Sequence, residues 1–421
     1  MPIQRIHVEN FKSFSEIDIK LSRFQVVIGS NAAGKSNFIN IFRFLRDITT
    51  SGIINAIALQ GGAEYLQNTN IGRSRDLVIR VDYLPEQKVE ILEQECRETP
   101  LLAIQSCQST YEFAIRFDGA GDGFSITRDR LSIGCEVLSC DPDGKGMSRK
   151  EKIGRGEIQV TNDAGNLTYA VDLPEGFPLT EQELIPIYFR GKHVPEKTLL
   201  LETPYAYPLP HVEKFFDRIA IYDIDPRLLK KGAAITGKRD LDEDAGNLAL
   251  VLKNIIGDPE KKRKFSNLLR DVLPFVDDFS VKKFMDISLI LTLRERYAKN
   301  HELPATSLSA GTMTIFALII ALYFEDKPFI IIEEPVTHIH PFLVGRVITM
   351  MKESSAGKQI MITTHSTEVV KHAAIEDLLL VSRDTEGFSV ITRPADKEEV
   401  RTFLENEIGI EELYIQNLLG L

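Results

Sequence analysis

Gly29-Ser30-Asn31-Ala32-Ala33-Gly34-Lys35-Ser36 follows the apolar run Phe24-Gln25-Val26-Val27-Ile28 and precedes a helical pattern, Phe38/Ile39/Ile41/Phe42/Phe44/Leu45. The octapeptide fits G-x-x-x-x-G-K-[ST] in the strand–loop–helix setting that a phosphate-binding loop requires. Its glycines let the backbone wrap around a polyphosphate, and successive N–H groups with the helix N-terminus supply a positive field. Gly29, Ser30, Asn31, Ala32, Ala33, Gly34, Lys35, Ser36 and Asn37 are therefore candidate nucleotide contacts. In such a loop the lysine neutralises the β- and γ-phosphates and the hydroxyl ligates Mg²⁺, roles that fall to Lys35 and Ser36. A surface turn containing glycine also fits the bare spacing, but it needs neither the strand before nor the helix after. The sequence predicts binding of ATP with Mg²⁺.

Two further strand-like runs end in polar tips. Pro328-Phe329-Ile330-Ile331-Ile332 runs into Glu333-Glu334-Pro335, and Gln359-Ile360-Met361-Ile362-Thr363-Thr364 runs into His365-Ser366. Adjacent carboxylates at the end of a buried strand are costly without a compensating cation. Glu333 is placed to hold Mg²⁺ through water, and Glu334 to orient or deprotonate an attacking water. In open α/β sheets ligands gather at the C-terminal edge of the strands, which puts His365 in reach of the γ-phosphate or that water. Leu308-Ser309-Ala310-Gly311-Thr312 stands before the apolar helix Met313–Phe324; alone it reads as an ordinary helix N-cap.

The chain has 421 residues, 43% hydrophobic and 26% charged, enough for two or three domains or one large domain with an insertion. No apolar run is long enough to span a bilayer and the N-terminus lacks a signal-peptide layout, so a cytoplasmic protein with no membrane partner is expected. A net charge of −11 argues against a uniformly basic surface. It leaves a local nucleic-acid groove open, with Lys145/Arg149/Lys150/Lys152/Arg155 and Lys261-Lys262-Arg263-Lys264 as candidate clusters that also read as solvated faces. Cys96, Cys107, Cys135 and Cys140 contain no C-x-x-C pair and predict neither disulfides nor a ready zinc site.

The fold class expected is α/β, divided into four segments. Residues 1–84 form a first ATPase lobe with the phosphate loop, beginning with a hairpin around Asn10-Phe11-Lys12-Ser13-Phe14. Residues 85–200 read as a β-rich insertion of short runs (111–117, 124–128, 157–160, 167–171) between Gly/Asp turns. Residues 201–300 read as a helical segment rejoining the core, after a Pro-rich linker at 199–210. Residues 301–421 form a second lobe of alternating helix and strand carrying the Ser-x-Gly, double-glutamate and histidine motifs.

In this order, the phosphate loop, Leu-Ser-x-Gly-Thr, apolar-Glu-Glu-Pro and Thr-Thr-His-Ser resemble the ABC-type ATPases of the SMC/RecF superfamily. The closest resemblance is to the stand-alone AAA-family ATPases related to the OLD proteins. It covers residues 8–14, 28–38 and 303 to the terminus; Gln60-Gly61-Gly62, Gly246-Asn247-Leu248 and His338-Ile339-His340-Pro341 look like further landmarks. The resemblance implies an ABC-type head with a mixed sheet, and two copies closing head to tail. Ser309 and Gly311 of one copy would then contact the γ-phosphate held by the other. Lys12 resembles the basic residue that helps hold the nucleotide, and Gln60 or Gln67 the glutamine that senses Mg²⁺. Val336-Thr337 departs from the acid-Asn pair usual after Glu-Glu-Pro. Only 56 residues (421 − 365) follow His365, too few for the Toprim nuclease of OLD proteins proper. The resemblance implies a subunit that switches a separate effector, a nuclease or toxin, in antiviral defence; a RecF-like DNA-binding repair ATPase and a non-hydrolysing ATP-bound scaffold are the alternatives.

Overall fold

The computed structural model describes residues 3–84, 89–92, 101–119, 123–143, 146–174, 191–203, 215–284, 288–298, 301–405 and 409–419. The first strands are β1 (Ile3–Phe11), β2 (Phe14–Lys20), β3 (Phe24–Ile28), β4 (Leu77–Tyr83), β5 (Val89–Leu92), β6 (Leu101–Phe117), β7 (Phe124–Asp143), β8 (Gly146–Asp163) and β9 (Asn166–Asp172). They are followed by β10 (Ile219–Asp223), β11 (Ala233–Ala234), β12 (Val276–Phe284), β13 (Ser288–Glu295), β14 (Glu302–Pro304), β15 (Phe329–Glu333), β16 (Gln359–Thr364), β17 (Leu378–Arg383) and β18 (Ser389–Thr392). The helices are α1 (Lys35–Ser51), α2 (Ile53–Leu59), α3 (Ala63–Leu66), α4 (Pro226–Leu229), α5 (Leu248–Ile256), α6 (Pro259–Val272), α7 (Ala310–Tyr323), α8 (Pro341–Ser354), α9 (Thr367–His372), α10 (Glu398–Glu405) and α11 (Ile410–Ile415). The fold is mixed α/β. The chain divides into two compact units, one of residues 1–21, 36–218 and 383–390, the other of 22–35, 219–382 and 391–421.

The first unit is built on an eight-stranded sheet ordered β2-β1-β4-β6-β7-β8-β9, with β5 paired to β6. Among the described residues its ladders are antiparallel. Helix α1 carries apolar residues at helical spacing and buries Phe38, Ile41, Phe42, Leu45 and Ile48. Phe38 meets Phe14 with ring centroids 6.4 Å apart, and Phe44 meets Phe11 at 6.1 Å and Phe113 at 6.5 Å. Burying each such ring contributes about 1.5–3 kcal/mol, which ties the helix after the phosphate loop to this sheet.

The residues read as an insertion continue that sheet directly, since β4 pairs with β6 from Leu77↔Ile115 to Tyr83↔Ser109. The short runs expected at 111–117, 124–128 and 157–160 are parts of strands of 17, 20 and 18 residues. Of the expected linker at 199–210, residues 199–203 form a buried 3₁₀ turn with Leu199, Leu200 and Leu201 at most 2% exposed. The rest of that linker, with residues 211–214 of the segment expected to be helical, lies outside the described residues.

The second unit holds the six-stranded sheet β10-β15-β16-β3-β17-β18. The ladders from β10 through β17 are parallel. A parallel strand is covered on both faces, which is why Phe329–Ile332 and Ile360–Thr364 read as unbroken buried runs. Helix α7 is buried on every side from Thr312 to Leu322 and forms the centre of this unit's core. A smaller antiparallel sheet, β11-β13-β12 with β14 on β13, completes it.

Candidate functional site

The parallel ladders align the motif-bearing strand ends. Asp223 pairs with Glu333, Glu333 with Thr363, and Thr364 with Ile28, so the phosphate loop, the double glutamate and His365 leave the sheet at one edge. This is the edge where open α/β sheets bind ligands.

Gly29 opens the loop because nothing larger fits. A Cβ there would lie 2.3 Å from the Val381 carbonyl oxygen on the neighbouring strand. Gly34 has φ 121° and Ala32 φ 61°, so the chain curls back before α1 begins at Lys35. The Lys35 ammonium donates to the Gly29 carbonyl at 2.8 Å and the Ser30 carbonyl at 3.1 Å, which holds it over the loop it would serve. Burial lowers its pKa and the nearby Glu334 carboxylate opposes that shift, so the cation is kept at the acidic edge. Ser30, Asn31, Ala32 and Ser36 are exposed, while Ala33 and Gly34 are buried.

Glu334 is fastened at three atoms by three consecutive residues. Its N–H donates to the Thr363 carbonyl at 2.9 Å. Its Oε2 accepts from Thr364 Oγ1 at 3.1 Å, and its Oε1 lies 2.7 Å from His365 Nδ1. The backbone of Glu334 has φ 43°, a left-handed conformation that costs a non-glycine residue about 1–2 kcal/mol. Glu333 precedes it at the end of β15, half-buried.

Ser309 caps α7, its hydroxyl accepting from the Thr312 N–H at 3.0 Å. Gly311 has a reason within its own chain, because a Cβ there would lie 2.5 Å from the His338 carbonyl oxygen. The signature turn therefore packs on the loop that leaves Glu334. His340 in that loop caps α8, with Nδ1 accepting from the Phe342 N–H at 3.2 Å.

In the first unit, Lys12 closes the β1–β2 hairpin at φ 47°, half-buried, its pKa lowered by burial. Asn10, at φ 54°, donates to the Gly72 and Arg75 carbonyls at 2.9 and 2.8 Å and accepts from the Asn68 N–H at 3.1 Å. Asn37 donates to Ser13 Oγ at 2.8 Å. A cleft of about 590 Å³ is lined by Lys12, Asn37, Gln60, Gln67, Tyr65 and Arg383, among others. Both glutamines raised from the sequence as magnesium sensors thus share a cleft with Lys12. On the parallel sheet Glu333 is laddered between Asp223 and Thr363.

Among the described residues no three His, Cys, Asp or Glu side chains gather as a closed metal site. Phosphate-loop proteins take Mg²⁺ on one hydroxyl and one carboxylate, with substrate phosphates and water completing the octahedron. Ser36 and Glu333 are the residues of those types at the loop and strand end. Of the cysteines, Cys107 and Cys135 are free, and burial pushes the Cys135 thiol up to about 11.

Two site residues were missed from the sequence. Thr364 precedes His365 in Thr-Thr-His-Ser, where the sequence alone does not set it apart from an ordinary strand-end residue. Tyr414, on α11, places its hydroxyl in hydrogen-bond contact with the Gly29 backbone and near the Glu334 charge, and burial raises its pKa. No motif surrounds Tyr414; only the packing of α11 on α9 brings it there.

Two family models match, at the two ends of the chain. The one described as "AAA ATPase domain" covers residues 1–162, and the one described as "AAA domain, putative AbiEii toxin, Type IV TA system" covers 191–371. No curated protein matches. Among solved structures, an SMC head bound to the C-terminal winged-helix domain of ScpA aligns at 16% identity and TM-score 0.47, covering 93% of this chain and 98% of that one. The SMC head domain from Thermotoga maritima aligns at 13% identity and TM-score 0.40, over 93% and 99% of the two chains. A Pyrococcus furiosus SMC head bound to the C-terminal domain of ScpA aligns at 14% and 0.42, over 96% and 98%. Both models describe AAA-type domains, one of them an ATPase domain, and the site has the strand–loop–helix layout of a phosphate-binding loop. No helix among the described residues is long and apolar enough to cross a membrane.

Proposed function

We propose that this chain hydrolyses ATP and uses the cycle to close and reopen a pair of its own copies. The observation that carries the proposal is Glu334, whose backbone is left-handed and whose carboxylate is held at both oxygens near the phosphate-loop lysine. The N–H groups of residues 29–36 and the Lys35 ammonium would cradle the triphosphate, with Lys12 and Asn37 as further contacts. Magnesium, held by Ser36 and through water by Glu333, would neutralise the β- and γ-oxygens. Glu334 would accept a proton from the attacking water as the γ-phosphoryl transfers in line and ADP leaves. His365 would exchange its contact with Glu334 Oε1 for the γ-phosphate or that water.

Ser309 and Gly311 of a second copy would cap the γ-phosphate, aiming the N-terminus of α7 at it. Phe342, 86% exposed just after the loop that packs on Gly311, is apolar surface that such a copy would cover. Beyond the ATPase, the resemblance and the match of residues 191–371 to the AbiEii-toxin-type AAA domain support a defence role, with the closed pair releasing or triggering a separate nuclease or toxin. The DNA-repair reading is less favoured by the basic clusters. Lys152 and Arg155 flank Glu136, Lys262 lies 3.6 Å from Asp278, and Lys264 sits over the Tyr323 and Phe324 rings.

The test is Glu334→Gln, assayed by phosphate release and by sizing with ATP and Mg²⁺. Turnover should fall at least about 100-fold with nucleotide binding intact and the paired form enriched. Unchanged turnover sinks the hydrolytic reading. Wild-type protein that binds ATP and pairs without turnover supports the scaffold alternative.

A further inference from the structure

We infer that Thr364 is a positioning residue for hydrolysis, pinning one oxygen of Glu334 so that the other is left for the water. The inference rests on the proposed ATPase. Thr364 is the last residue of β16, is 0% exposed, and pairs across the ladder with Ile28, the residue before the phosphate loop. Its hydroxyl has one proton to give. The Ser366 N–H, 3.0 Å away, occupies an acceptor site on Thr364 Oγ1, and that proton is directed at Glu334 Oε2, 3.1 Å away. Thr364 is thus a donor of fixed direction.

The consequence is an asymmetric carboxylate. Oε2 faces a buried hydroxyl on a strand end that the parallel ladders hold rigid. Oε1 faces His365, whose side chain is 56% exposed. A glutamate has three rotatable bonds, and at φ 43° its backbone gives the side chain no support from a regular helix or strand. Fixing Oε2 removes most of that freedom, which leaves Oε1 as the oxygen that trades His365 for the attacking water. Misplacing a catalytic group by about 1 Å costs about 100-fold in rate, and a hydrogen bond to a charged group accounts for about a tenth of that or more.

Thr364→Val and Thr364→Ser are to be compared with wild type and Glu334→Gln in ATP turnover, ATP affinity and thermal melting. The valine variant keeps the shape of the side chain and loses the donor; the serine variant keeps the donor. A fall of about tenfold in kcat for valine, with the dissociation constant for ATP within about twofold and with serine restoring kcat to within about threefold, supports the inference. Valine at wild-type kcat overturns it, and so does an equal loss in valine and serine, which would mark the methyl packing as the cause. If valine melts early, serine decides alone, since a serine variant at wild-type kcat beside a dead valine requires the hydroxyl. If Glu334→Gln turns over like wild type, the hydrolytic reading itself has failed. If only Thr364→Val does, the fault lies with this inference.

Discussion

Gly311→Ala separates two reasons for the same glycine. An ordinary carbon–oxygen contact is about 3.3 Å, so a Cβ placed 2.5 Å from the His338 carbonyl oxygen falls short by about 0.8 Å. The obstacle is backbone, with the His338 carbon at 3.4 Å and the Ile339 Cα at 3.5 Å, and no side chain can rotate away to relieve it. Overpacking of this kind costs about 1–3 kcal/mol, and the better helix propensity of alanine returns up to about 1 kcal/mol. A net loss of about 1–2 kcal/mol lowers melting by about 2–8 °C for a unit of this size. The loop that must move runs on from Glu334, so turnover should fall as well, toward the 100-fold that about 1 Å of misplacement costs. Ser309→Ala is the control, because it removes only a helix cap worth about 1 kcal/mol. Scanning calorimetry and phosphate release measure both effects on one preparation. Gly311→Ala with wild-type melting would refute the intrachain reasoning, whether turnover survived or vanished. In the latter case the glycine would matter only to a second copy.

Lys35→Ala should abolish the thermal stabilisation by ATP, which for a binding-competent chain is about 2.7 kcal/mol at 100 times the dissociation constant, while leaving the melting of the free protein near wild type. Tyr414→Phe keeps the ring and loses the contact with Gly29; ATP affinity or turnover should weaken by a few-fold, and titration of the nucleotide detects it. Asp129, buried and accepting from the Tyr111 hydroxyl, Asn162 Nδ2 and the Leu200 N–H at 2.8 Å each, has its carboxyl pushed up to about 7 by burial, with the Glu202 charge adding to the rise. The folded state then holds that proton more tightly than the unfolded chain, so the stabilisation is full below about pH 4 and is lost as pH rises through about 7. Asp129→Asn, with its amide donating to a reversed Tyr111 hydroxyl and its carbonyl facing Asn162 and Leu200, should flatten stability between about pH 5 and 8. Urea melts at several pH values test this, and an unchanged slope counts against it.

The edge that carries the site was legible because its physics is local. A parallel strand covered on both faces must be apolar throughout, so each of β3, β15 and β16 announced itself, and the polar residues just past each end had to share one side of the sheet. The long strands of residues 101–172 were not legible, and their glycines explain why. Gly154 and Gly156 stand just before the short run expected at 157–160. In the fold they sit mid-strand, where added Cβ atoms would lie 2.5 Å from the Pro174 side chain and 2.6 Å from the Asp172 carbonyl oxygen. They are sites of close approach within β8, a use of glycine that no single-strand pattern distinguishes from a turn.

The same limit applies at the centre of the site. That Glu334 follows Glu333 at the end of an apolar strand is visible in the sequence. Its left-handed backbone is not, because φ 43° at a glutamate is set by what surrounds it: the Thr363 carbonyl on its N–H, and Thr337, whose N–H and hydroxyl lie 3.3 and 3.1 Å from its carbonyl. Thr337 is also where the sequence departs from the acid-Asn pair usual after Glu-Glu-Pro. The departure therefore falls on a residue that holds the strained turn in place. A strained residue persists only where neighbours over-determine it, and here four residues, Thr337, Thr363, Thr364 and His365, hold the backbone and both carboxylate oxygens of Glu334. A sequence shows which side chain is available for catalysis; how narrowly it is aimed depends on residues that each look ordinary until the strands are laid side by side.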